Sequence, residues 1–185
     1  MAFYGAKELA EAFRTVRKNT IQIAEDIPAD KYTFKAAPGV KSVAEVLAHI
    51  AITTEWPIEV HGSRTTELDF AGFGAYMAKV QADEQTLAAR SKDDIIKALR
   101  ERGDTFATFL EGLTDATLAE RVSIPVPGNP HSKTRFEMLL SPKEHEMHHR
   151  GQLMLVERLL GIVPHLTKQR EAMAAQMQGQ ATAAR

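Results

Sequence analysis

The chain has 185 residues, 44% hydrophobic and 25% charged, with a net charge of −1 and no cysteine. That length suffices for one domain with its own core, and the missing cysteines exclude disulfides, cysteine zinc sites and a cysteine nucleophile. No apolar run reaches the roughly 18 residues of a membrane span, no Lys/Arg run marks a nucleic-acid stripe, and the start MAFYGAKELAEAF lacks the pattern of a signal peptide, so the expectation is a cytoplasmic protein with neither membrane nor nucleic acid as partner.

Leu9, Phe13, Val16, Thr20 and Ile23 recur at helical spacing and predict a first helix over about 4–25, closed by Pro28. Residues 28–41 read as an ordered crossing loop. Ser42 and Glu45 form a capping box that opens the second helix. Its stripe is Val46, His49, Thr53, Trp56 and Val60, with a kink or early end at Pro57 and a close at Gly62. Over 63–90, Gly72 and Gly74 interrupt, so Tyr76, Met77, Val80 and Leu87 predict only a short helix. Ser91 and Asp94 start the third main helix, carried by Ile95, Leu99, Phe106 and Phe109 to Gly112. RVSIPVPGNPHSK, residues 121–133, reads as loop with a short extended piece, followed by a helical turn around 136–140. Ser141, Pro142 and Glu144 read as a capping box with proline at the first helical position. They predict a fourth helix over 142–161, stopped by Gly161 and Pro164. The polar tail 166–185 is expected to form a further helix with a disordered end, GQATAAR. Four main helices without a convincing strand pair imply an all-α fold, a helix bundle with short extra helices.

The fourth helix carries EHEMHHRGQL, residues 144–153. At about 100° per residue, His145 and His149 share the stripe that continues as Val156, Leu159 and Leu160, the expected buried face. Glu144 and Glu146 fall at its edges and His148 on its flank. Imidazoles at i and i+4 can converge on one ion; the alternative is two core histidines satisfied by hydrogen bonds. His49 lies on the core stripe of the second helix, and bundle interiors are where facing helices assemble metal sites. The three would form a facial set with open positions. His145-Glu146-Met147-His148-His149 also matches H-E-x-x-H, with Glu146 as base. The protease reading is weak, because Gln152 and Leu155 stand where the extended motif has glycine and histidine, and no sheet edge is expected for a substrate.

AEDIPADKYTFKAAPGVKSVAEVLAHI and, about a hundred residues on, the H-x-x-x-H-R-G-Q of EHEMHHRGQL resemble the DinB/YfiT-like superfamily of bacterial metal-binding four-helix bundles. The resemblance covers about residues 1–165 and implies a four-helix bundle with long crossover loops over that span. It implies one divalent ion, zinc or nickel, on His49, His145 and His149. It also implies a homodimer, and an activity like that of thiol-dependent transferases using a low-molecular-weight thiol, or of hydrolases.

Other positions have open roles. Gln152 could bond a bound water or cap the core, His148 could reach the rim or lie exposed, and Trp56 could line a pocket or pack the core. Gly151 would admit a neighbouring helix. Glu55, Glu144 and Glu146 are candidate bases, none placed well enough to choose. The expected partner is a small-molecule substrate or thiol. Two functions stay open: a metal-dependent transferase or hydrolase, and a non-catalytic stress- or metal-responsive binding protein.

Overall fold

A computed structural model describes residues 4–126 and 131–183. The helices are α1 (Ala6–Asp26), α2 (Val43–Ile52), α3 (Glu55–Gly62), α4 (Phe70–Ala88), α5 (Lys92–Glu111), α6 (Asp115–Ala119), α7 (Arg135–Leu159) and α8 (His165–Ala183), with a 3₁₀ turn at Ala29–Lys31. Strands β1 (Arg121–Ile124) and β2 (His131–Thr134) pair antiparallel between α6 and α7.

The protein is a four-helix bundle. α1 packs on α5 and α7, and α2 packs on the same two. The main helices therefore form a ring α1–α5–α2–α7, in which α1 and α2, consecutive in the chain, are not the main neighbours. α4 lies against α2 and α5. Two apolar clusters fill the interior. One gathers Ile23, Ile27, Leu47, Ile50, Ile95, Leu99 and Leu153; the other gathers Leu9, Phe13, Phe106, Leu110, Leu118 and Leu139.

Several boundaries differ from the sequence expectation. The second helix breaks after Ile52 and restarts at Glu55, because the Pro57 ring and its missing N–H are incompatible with a helical bond to Thr53. The region 63–90 yields a 19-residue helix rather than a short one, capped by Asp69, which accepts from the amides of Ala71 and Gly72. β1 and β2 are a strand pair where a loop with one short extended piece was expected; residues 127–130 of that stretch lie outside the described residues. α7 starts seven residues before the predicted start, at a capping box of Thr134 and Glu137. Pro142 then sits buried inside the helix. Continuing the helix through it buries Leu139 against the second cluster, with Phe136 and Leu140 beside it, which offsets the lost hydrogen bond. α7 closes as expected: Gly161 has φ 77° and the Ile162 amide donates back to the Glu157 carbonyl at 2.8 Å. α8 continues to Ala183, and 184–185 lie outside the described residues. Among the described residues no helix is long and apolar enough to cross a membrane.

Candidate metal centre

The facing of α2 and α7 brings His49, His145 and His149 together. His145 Nε2 lies 3.1 Å from His49 Nε2 and 3.0 Å from His149 Nε2, and one ring nitrogen of each residue lies within 4.8 Å of the others. Two nitrogens each about 2.0–2.1 Å from one ion stand at most about 4.2 Å apart, so both short separations fit a shared ion.

The proton inventory points the same way. His49 Nδ1 donates to Glu84 Oε1 at 2.6 Å, and a carboxylate only accepts, so in its neutral form the ring presents its Nε2 lone pair to the centre. His149 Nδ1 donates to Gln152 Oε1 at 2.8 Å, with the same result. His145 can offer one Nε2 proton to two lone pairs, so one of them stays unmatched in the absence of a cation. Burial and the neighbouring imidazoles push the His145 pKa down to about 4, and burial lowers that of His149. Both shifts favour the neutral ring, the form of imidazole that binds metal.

Glu84 is the residue that the sequence reading missed. It comes from α4, the helix read only as a short fragment, and no motif marks it. Burial pushes its carboxyl up, but hydrogen bonds from His49 and from Lys41, the latter at 3.0 Å, outweigh that and hold it below its ordinary value. A carboxylate behind a ligating imidazole fixes its tautomer and raises its basicity. Gln152 acts on His149 in a similar way, and its Nε2 donates to His148 Nε2 at 3.1 Å, so His148 reaches the set through Gln152.

The other acids do not reach the histidines. Glu146 is buried in an ion pair: Arg17 Nε donates to its two oxygens at 2.9 and 3.0 Å. The same guanidinium donates to the carbonyls of Leu99 and Ile50. A carboxylate so committed cannot serve as the base of an H-E-x-x-H site. Glu55 pairs with Arg102, and Glu144 is exposed.

The histidines lie at the border of the core rather than within it. The buried side of α7 carries Leu139, Pro142, Glu146, Leu153 and Glu157, while Leu159 is 55% exposed. The centre is half-buried and opens beside a cavity of about 360 Å³, lined by Val40, Val43, Val46, Leu153 and Val156 with His149, Gln152 and Lys41 at one side. Trp56 lines a different cavity, with none of the three histidines in its wall.

Residues 12–153 match the family model of the DinB superfamily. Comparison with curated proteins finds no match. Among solved structures, a DinB-like protein of Bacillus subtilis superposes with a TM-score of 0.60 at 22% identity, over 83% of this chain and 92% of that one. YfiT of Bacillus subtilis, described as a probable metal-dependent hydrolase with an unusual four-helix bundle topology, superposes at 0.65 with 15% identity, over 88% and 91%. The colibactin self-resistance protein ClbS, solved in complex with double-stranded DNA, superposes at 0.62 with 16% identity, over 85% and 98%. These identities speak to the fold. They also correct the expectation that nucleic acid is excluded as a partner, since a chain of this fold has been solved on DNA. The lack of a Lys/Arg run behind that expectation concerns neighbours in sequence and does not limit the local potential that folding assembles.

Proposed function

The chain belongs to the DinB superfamily, and from that premise we propose that it is a metal-dependent enzyme that transfers a group from a small electrophile to a low-molecular-weight thiol. His49, His145 and His149 hold one divalent transition ion, zinc or nickel. The observation that carries this reading is the convergence of three imidazoles, with no carboxylate among them, beside an apolar cavity. A divalent ion on such a set supplies Lewis acidity that lowers the pKa of an arriving thiol or water. Glu84 holds the proton on His49 Nδ1 and Gln152 orients His149. The valine and leucine walls bind the apolar part of the substrate and exclude water from it. With no cysteine in the chain, the thiol comes from solution. Water as nucleophile, which makes the protein a hydrolase, is the second reading, favoured by the description of YfiT.

Turnover of a panel of electrophiles by metal-loaded wild type and His145→Ala, with and without small thiols, tests this. Thiol-dependent turnover lost in His145→Ala supports the transferase, and thiol-independent turnover the hydrolase. Undiminished turnover in the variant places the chemistry elsewhere, and none across the panel leaves a non-catalytic binding protein.

We also assign a second copy of the chain as a partner. α7 exposes Met147, Leu155 and Leu159, the second of them at the wall of the cavity beside His149, and a Cβ on Gly151 would meet nothing within 4 Å. Glu144 and Arg158 lie seven residues before and after Gly151. Two α7 helices crossing antiparallel at Gly151 would set Glu144 against the other copy's Arg158, and Met147 against its Leu155, twice over.

A further inference from the structure

A cavity apart from the metal centre has a different chemistry. It has a volume of about 470 Å³ and lies between α3 and the first half of α4. Three aromatic rings line it, Trp56, Phe73 and Tyr76, with Val60 and Leu68. Trp56 and Phe73 meet edge to face with centroids 6.4 Å apart. Two carboxylates, Glu59 and Asp69, complete the wall, and among the described residues no lysine, arginine or histidine contributes to it. Asp69 is occupied in capping α4. Glu59 is exposed, and among the described residues no lysine, arginine or histidine forms an ion pair with it. Arg64, close in sequence, is committed to Thr117 and Glu120. Burial, and the negative charges of Glu59 and Asp83, push the Tyr76 hydroxyl up to about 12, so the phenol stays neutral and the local potential is negative.

An aromatic face attracts a cation through its quadrupole, most strongly for tryptophan, and a carboxylate beside the ring adds a charge that a neutral ligand cannot use. We propose that this cavity is a binding site for an organic ammonium ion with an apolar body, held on Trp56 and Tyr76 with its charge toward Glu59. It is independent of the metal reading: none of its lining residues touches the three histidines in any hydrogen bond or ring contact found among the described residues.

Trp56 is the chain's only tryptophan, so its emission reports on this cavity alone. The experiment titrates metal-free protein with choline and with its neutral isostere 3,3-dimethylbutan-1-ol, following Trp56 fluorescence and, in parallel, heat of binding by calorimetry. The expected result is saturable binding of choline, with the isostere weaker by roughly tenfold. Glu59→Gln, an exposed substitution whose folding is checked by circular dichroism, should weaken choline by a similar factor and leave the isostere unchanged. Metal loading should change neither. The proposal is overturned by equal affinity for choline and its isostere, by choline affinity indifferent to Glu59→Gln, or by no saturable signal in either measurement.

Discussion

His49 and Glu84 are 35 residues apart and meet at 2.6 Å. Because the carboxylate fixes the lone pair of the proposed ligand, Glu84→Gln should weaken metal binding by about 10–100-fold, and His49→Ala should abolish stoichiometric binding. Competition against a chromophoric chelator measures both; equal affinity in Glu84→Gln and wild type would remove Glu84 from the centre. Glu157 poses the opposite case. It is fully buried on α7 and neither carboxylate oxygen has a hydrogen-bond partner. Burial, and then the nearby Asp26, raise its pKa from 4.5 to about 7. Between those values the folded chain holds a proton that the unfolded chain has released, so stability falls as pH rises through that window. Glu157→Gln should equal wild type near pH 4 and exceed it at pH 8, by on the order of 2 kcal/mol. Urea denaturation at the two pH values checks this, and a variant less stable at pH 8 would refute it.

Three helices each interrupt their apolar face at mid-length. On α1, Arg17 falls between Phe13 and Ile23; on α5, Gly103 falls between Leu99 and Phe106; on α7, Glu146 falls between Leu139 and Leu153. The interruptions meet at the waist between the two apolar clusters. The Arg17–Glu146 pair is almost fully buried, and a Cβ on Gly103 would lie 2.8 Å from Arg17 Cγ and 3.0 Å from its Nη1. Arg17→Met leaves a buried carboxylate unpaired and should cost about 3–5 kcal/mol, most of it recovered in Arg17→Met/Glu146→Leu. Gly103→Ala should cost about 1–3 kcal/mol, because the pinned guanidinium cannot retreat. A loss below about 1 kcal/mol in Arg17→Met would mean the pair is not what joins the helices there. Element starts were legible where a local hydrogen bond defines them, as at Ser42 and Ser91, whose side chains accept from the amides of Glu45 and Asp94. The start of α7 was not, because two capping boxes compete over ten residues and the choice of Thr134 depends on what Phe136, Leu139 and Leu140 bury.

At the scale of the molecule, α7 carries the histidines on one side and exposes Met147, Leu155 and Leu159, of which Leu155 also lines the cavity beside the histidines. Leu155→Glu should leave a monomer by sedimentation. Glu144→Arg and Arg158→Glu should each weaken a wild-type dimer by about tenfold, and their combination should restore it; a wild type monomeric at about 100 μM would end the dimer assignment. The chain by itself determined the bundle, because four amphipathic stretches with capped starts have few ways to bury their apolar stripes. It also set His145 beside His149, because helical period alone puts an i, i+4 pair on one face; their meeting with His49 came with the packing of α2 on α7. The tertiary structure alone decided which acids serve them. Glu146, one residue from His145, turns through about 100° into the ion pair with Arg17. Glu84, far along the chain, arrives on α4 to hold His49. Contacts between helices distant in sequence leave no period or spacing to read, since each depends on how the helices pack rather than on how either one coils.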